Sequence, residues 1–185
     1  MYIYGDFSKH YFMTLPARLV GREPEIEMIN RILRGGQPAF LAVYGRRRVG
    51  KTFLVRQYLK NSIVFDFTGT KEADTDQQLQ NFYEEYRKRV KQKKYTTAPS
   101  SWQEAFRYLA EYLQSLPKGK TKRVVFIDEM PWLDTPKSGF VPALEFFWNQ
   151  HGAVMDNLLL VACGSASSWI KKKLIEARGG LYSRV

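Results

Sequence analysis

The chain has 185 residues, 44% of them hydrophobic and 25% charged, the proportions of an ordinary globular domain with room for a proper core. Its apolar runs stop at about six residues, which excludes a membrane-spanning helix, and the stretch from Met1 to Arg22 has no signal-peptide core. A net charge of +11 is high for this size, and a single cysteine, Cys163, excludes an internal disulfide and suits a reducing cytoplasm.

In chain order, Leu19-Val20-Gly21-Arg22-Glu23 leads into residues 24–34, where Ile26, Ile29, Ile32 and Leu33 fall at helical spacing. Pro24 suits a first helical turn and Gly35-Gly36 ends it. Ala39-Phe40-Leu41-Ala42-Val43-Tyr44 is a short apolar run that reads as a buried strand. Gly45-Arg46-Arg47-Arg48-Val49-Gly50-Lys51-Thr52 follows, and residues 53–60 read as a helix. Ile63-Val64-Phe65-Asp66-Phe67 is a second strand with Thr68-Gly69-Thr70 as its exit loop. A helix is expected from Asp74 to about Lys91, with Leu79, Phe82, Tyr83, Tyr86 and Val90 on one side, then a polar, basic connector to Ser100.

Ser101-Trp102-Gln103-Glu104 is a capping box, with Ser101 as N-cap and Glu104 reaching back. It opens a helix to about Leu116 on Trp102, Phe106, Leu109 and Leu113, broken by Pro117-Lys118-Gly119-Lys120. Arg123-Val124-Val125-Phe126-Ile127 is a third strand, residues 140–150 a short aromatic helix, and Leu158-Leu159-Leu160-Val161-Ala162-Cys163 a fourth strand. Residues 167–178 read as a last helix, with Ser167 as N-cap and Gly179-Gly180 as its end. Strands that are continuous apolar runs, alternating with helices, indicate an α/β fold whose parallel sheet is covered on both faces.

Residues 45–52 fit the phosphate-binding pattern G-x-x-x-x-G-K-[ST] at every fixed position, between a strand and a helix. Gly45 and Gly50 permit backbone angles that a Cβ would forbid, so successive N–H groups can curl around an anion at the positive end of a helix. Lys51 is expected on the β- and γ-phosphates and Thr52 on magnesium. The ligand named by this pattern is a nucleoside triphosphate with its metal.

The third strand runs into Asp128-Glu129. Ligands gather at the carboxyl ends of strands in open α/β sheets. Asp128 is therefore placed to hold magnesium, directly or through water, and Glu129 to orient and deprotonate an attacking water. Two exposed acids ending a strand are the plain alternative. Ser165, in Cys163-Gly164-Ser165-Ala166, either touches the γ-phosphate or the water, or simply turns the chain.

The arginines have two readings each. Arg46, Arg47 and Arg48 occupy the variable part of the loop; one can touch phosphate, but they are expected to point outward. Arg178 and Arg184 are candidate arginine fingers, in cis or across a subunit contact, or else helix-end charges. Further basic clusters at 87–94, 118–123 and 171–173 read as solvated faces ahead of a nucleic-acid surface, because no zinc finger, RNP motif or recognition helix accompanies them. Trp132 is expected to pack rather than to function. Phe146, Phe147 and Trp148 are core, or a contact with something outside the chain. His10 and His151 have no acidic or cysteine cluster around them for zinc.

Together these motifs resemble the archaeal-type ATPase family of archaea and bacteria, in the STAND branch of P-loop ATPases close to AAA+ proteins. Leu-Val-Gly-Arg-Glu at 19–23 resembles the family's opening motif, which implicates Val20, Gly21 and Arg22 in holding adenine. Residues 45–52, with Phe53 behind them, resemble its phosphate loop, arginine run included. Phe-Ile-Asp-Glu-Met-Pro-Trp-Leu at 126–133 resembles its Walker B, and Cys-Gly-Ser-Ala at 163–166 its sensor-1 region. The resemblance implies a three-layer αβα P-loop NTPase core, AAA+/RecA-like, with a mainly parallel sheet of about five strands. It would put the phosphate-loop strand beside the sensor-1 strand, and the fifth strand beyond Val185 or beginning there.

Residues 1–18 then form an N-terminal extension and 19–185 the ATPase core, with a helical lid and further domains expected beyond it. The function implied is ATP binding and magnesium-dependent hydrolysis to ADP in the cytoplasm. The alternatives are a slow nucleotide-dependent switch and a nucleic-acid-stimulated ATPase. The partners implied are the lid, and a protein partner or a second copy of the chain; nucleic acid stays open and a membrane is not expected.

Overall fold

The computed structural model describes residues 21–90, 95–117 and 119–176. Helix α1 (Glu23–Arg34) precedes strand β1 (Ala39–Tyr44), helix α2 (Lys51–Tyr58) and strand β2 (Ile63–Thr68). Helices α3 (Thr75–Arg89) and α4 (Trp102–Ser115) lead to strand β3 (Arg123–Asp128) and a 3₁₀ turn at Met130–Trp132. Helix α5 (Phe140–Gln150), a second 3₁₀ turn (Gly152–Val154), strand β4 (Leu158–Gly164) and helix α6 (Ser167–Ile170) complete the set, α6 running on as a π-helical turn over Lys171–Ile175.

The strands form one parallel sheet in the order β1-β4-β3-β2. The strand before the glycine loop thus lies beside β4, as the family resemblance implies. Four strands are present among the described residues, against about five expected, with β1 and β2 at the edges.

Residues of β3 separate by parity. Val125 and Ile127 join a core with α3, α4, α5 and α6, whereas Val124 and Phe126 join a second core with α1 and α2. That two-sided burial makes three layers, and it explains why β3 and β4 are apolar at every internal position. The larger core is aromatic: Phe82, Trp102, Phe106, Phe140 and Phe147 form a chain of ring contacts across α3, α4 and α5. Phe147 and Trp148 are buried, while Phe146 is half exposed.

Asp74 caps α3 by accepting from the Gln77 amide at 2.8 Å. Ser101 caps α4 as expected, but Glu104 reaches back to the amide and hydroxyl of Ser100, not of Ser101. The last helix departs further from its expected form. Its N-cap is Ala166 and it has no side-chain cap, because the Ser167 amide donates to the Ser165 carbonyl in a tight turn. It then widens to π-helical hydrogen bonding after Ile170. No helix among the described residues is long and apolar enough to cross a membrane.

Candidate functional site

Strand register brings the chemistry to one edge. Tyr44 pairs with Gly164 and Thr68 with Asp128, so the loops after all four strands open on the same side of the sheet. After β1 the backbone takes positive φ at Gly45 (148°), Arg48 (63°) and Gly50 (82°). Gly50 is the N-cap of α2 and has no side chain to offer, which leaves the first helical amides uncapped. A loop of this kind running into a helix N-terminus is suited to an anion. Lys51 arches back over the loop, its Nζ donating to the carbonyls of Gly45 at 3.0 Å and Arg46 at 2.8 Å.

On the far side of that loop, Arg22 donates to the Val49 carbonyl and pairs with Glu25 at 2.8 Å. The hydrogen bond from Arg22 holds the Glu25 carboxyl below its ordinary range. Beside this pair lies an apolar cavity of about 180 Å³ walled by Met28, Ile29, Leu41, Val43 and Val49, among others. Gly21 takes a positive φ of 73° next to it. A cavity with apolar walls and one polar corner can hold a flat heterocycle.

The opposite end carries most of the charged side chains. A cavity of about 500 Å³ is lined by Arg47, Arg48, Gly50, Lys51, Thr52, Phe53, Glu129 and Trp132. Asp128 is buried at the end of β3 and accepts from the Glu129 amide at 3.0 Å. Cys163 lies one strand over in β4, and its thiol senses both Asp128 and Thr52, which puts those two side chains near one another. Burial first, and then the Asp128 charge, push that thiol far above its usual range, and it stays neutral. Among the described residues Asp128 forms no ion pair, and no group of three or more His, Cys, Asp or Glu could hold a metal by itself. One carboxylate and one hydroxyl, both hard oxygen donors, suit magnesium, which keeps several waters and is completed by phosphate.

Glu129 sits in a left-handed conformation, φ 43° and ψ 41°, unusual for a residue with a Cβ. Its turn is wedged between two glycines. A Cβ on Gly69 would lie 2.6 Å from the Glu129 carbonyl oxygen, and one on Gly164 would lie 2.6 Å from Pro131 Cδ. The fully buried Gln78 closes the third side: it bonds both backbone groups of Thr70 and donates to the Trp132 carbonyl at 3.2 Å. Strain of this kind persists where neighbours over-determine the backbone.

The Ser165 hydroxyl donates to Glu129 Oε2 at 3.4 Å and accepts from Arg47 Nε at 3.3 Å. The Arg47 guanidinium also lies 6.0 Å from the centre of the Trp132 ring. Arg47 thus stays exposed but leans over the cavity toward Ser165, where the loop arginines are expected simply to face out, and Arg48 lines the same cavity. Trp132, expected only to pack, is part of the cavity wall.

The structure thus gathers Arg22, residues 45–53, Asp128, Glu129 and Ser165 on one edge. Val20, Arg178 and Arg184 lie outside the described residues. Sequence reasoning missed Gly69 and Gln78 as neighbours of the site, and it gave Trp132 and Cys163 no role there although both lie in its motifs. Gly69, in the exit loop of β2, carried a local signal; Gln78 carried none.

Several of the basic residues are engaged within the fold. Lys88 pairs with Glu85, Arg89 with Asp66, and Lys173 with Asp134. Lys122 is buried on the carbonyls of Gln37 and Asp156, and Arg123 donates to those of Leu113 and Pro117.

A family model described as an ATPase domain predominantly from Archaea matches residues 19–185. An uncharacterized ATP-binding protein of Methanocaldococcus jannaschii is 40% identical over 42 residues, which is 23% of this chain and 71% of that protein. Among solved structures, a Walker-type ATPase of Pyrococcus abyssi superposes with a TM-score of 0.58 at 20% identity, over 90% of this chain and 52% of its own. Cdc6p of Pyrobaculum aerophilum superposes with a TM-score of 0.60 at 16% identity, over 94% of this chain and 46% of its own. At those identities the likeness is one of fold, and the chain spans about half the length of these two structures.

Proposed function

The chain belongs to the ATPase domain family found predominantly in Archaea, and from that premise we propose that residues 19–185 are a nucleotide-binding core that hydrolyses ATP with magnesium. The observation that carries this reading is that Glu129 lines the same cavity as Lys51 and Thr52, with Ser165 bonded to its carboxylate and the buried Asp128 one residue before it. Adenine fits the apolar cavity behind Arg22 and Val49. The glycine-loop amides take the phosphates, and Lys51 exchanges its two carbonyl partners for phosphate oxygens. Thr52 and Asp128 would hold magnesium, which when bound would supply positive charge against the phosphates.

Glu129 is the general base. Water oxygen bonds to the γ-phosphorus as the bond to the β–γ bridging oxygen breaks; ADP leaves with that electron pair, and the water proton passes to the Glu129 carboxylate. Ser165, donating to Oε2, keeps the carboxylate turned toward the cavity. The partners follow from the same reading: a lid outside these residues, and a protein partner or a second copy of the chain.

The test is Glu129→Gln in the full-length protein. Binding of ATP, read by fluorescence of a labelled analogue, is expected within about threefold of the parent, and turnover is expected to fall about 10²–10⁴-fold. Turnover at the parental rate would remove Glu129 from the role of base.

A further inference from the structure

We propose that Arg47 is a catalytic residue of this loop: a built-in arginine that grips the γ-phosphate and makes the site distinguish ATP from ADP. The inference rests on the reading of the chain as an ATPase. It begins with a contrast inside the loop. Among the described residues, the side chains of Arg46 and Arg48 make no hydrogen bond or ion pair, whereas Arg47 crosses the cavity to the loop after β4 and bonds Ser165 through Nε. Partner and donor are 118 positions apart in sequence, so the contact is a product of the fold.

The way Arg47 is held leaves its working end free. Nε is used on Ser165 and the Trp132 ring lies against the guanidinium, a contact of the cation–π kind. No carboxylate among the described residues pairs with it. The four N–H groups of the two terminal nitrogens therefore remain for an oxyanion, in the fork geometry that suits two phosphate oxygens at once. An arginine with unused donors in a cavity shared with Lys51, Thr52 and Glu129 is a phosphate ligand in waiting.

Its position says which phosphate. Ser165 bonds Arg47 on one side and the proposed base Glu129 on the other. The guanidinium is thus two hydrogen bonds from the group that activates water, and it lines the cavity of Lys51 and Thr52 and not the apolar one beside Arg22. The phosphate attacked by that water is the γ-phosphate, and charge spreads over its oxygens as the bond to ADP loosens. Arg47 meets that charge from within the same chain.

ADP offers no γ-phosphate, so the contact exists only with the triphosphate. Arg47→Ala in the full-length protein is expected to weaken a non-hydrolysable ATP analogue about tenfold or more while leaving ADP within about twofold. Turnover at saturating ATP should drop by about 10²–10³-fold, up to the lower edge of what an arginine finger supplies. Arg47→Lys keeps the charge without the planar fork and should recover part of the analogue affinity and little of the rate. Equal weakening of ADP and analogue, or no change in either, would overturn the proposal. The affinity pair decides even if the parent protein shows no turnover. That result would sink the hydrolysis reading and leave the role of Arg47 in sensing the triphosphate to be judged by binding alone.

Discussion

Two turns face each other across the site and are built on opposite plans. The glycine loop at 45–50 is held from outside: Lys51 spans two of its carbonyls, Arg22 ties a third, and Gly45 and Gly50 add no side chain to fix it. The turn at 129–132 is held from within. Two glycines admit its backbone at distances no Cβ would tolerate, Gln78 pins its far end, and Met130 and Leu133 are wholly buried. The first turn can adjust to a ligand; the second keeps a strained glutamate where it is. Apart from Arg47, whose side chain reaches over to the second turn, binding and chemistry are thereby separable: damage to the supports of the loop should act on affinity, and damage to the turn on rate.

The largest effect is expected at Lys51. Lys51→Ala removes a charge that meets phosphate and also the strap over the loop. Charge-assisted hydrogen bonds contribute about 1.5–3 kcal/mol each, so ATP affinity should fall at least about 100-fold by isothermal titration. The fold should survive, because the side chain lies at the surface of the cavity. Retained ATP affinity would put the ligand elsewhere.

Gly69→Ala attacks the other turn. Its φ is not positive, so the harm is steric alone: the new methyl meets the Glu129 carbonyl at 2.6 Å and Leu133 Cδ2 at 3.0 Å. Neither the backbone nor the buried leucine yields cheaply, and overpacking of this kind costs about 1–3 kcal/mol. A lowered melting temperature is expected, together with turnover reduced about 10–100-fold and ATP affinity within about threefold. A variant that lost affinity and kept its rate would reverse the comparison between the two turns.

The same contrast governs what could be read from the sequence. The glycine loop declares itself in eight consecutive residues, and Asp128-Glu129 in an apolar run ending in acids, because in both the chemistry is local. Strands and most helices were legible for the same reason, α5 to its residue limits. The supports of the second turn were not. Gly69 and Gln78 reach Glu129 and Trp132 from a different strand and helix, and Arg47 finds Ser165 across nearly the whole sheet sequence. Such contacts leave no periodicity and no motif. The last helix is less regular over its described residues than its spacing suggests, while its expected end at 178–180 lies outside them. The Ser165–Ser167 turn and the π-helical hydrogen bonding after Ile170 depend on where β4 delivers the chain.

Arg22 offers the smallest effect and the sharpest comparison. It stands outside both turns, bonding the Val49 carbonyl and Glu25, and about a third of its side chain is exposed. Exposed ion pairs contribute only about 0.2–1 kcal/mol, and the bond to Val49 steadies the loop without touching the chemistry. Arg22→Ala should therefore weaken ATP about threefold to tenfold and leave turnover at saturation unchanged. The Glu25 carboxyl, held low by Arg22, should return to its ordinary range, a rise that carbon-detected NMR titration would register. Its depressed value stabilises the folded state above the ordinary carboxylate pKa, and that contribution fades as pH falls through the lowered one. If Arg22→Ala instead cut turnover as deeply as Gly69→Ala, the glycine loop would not be a separate, adjustable element, and the two turns would have to move as one body.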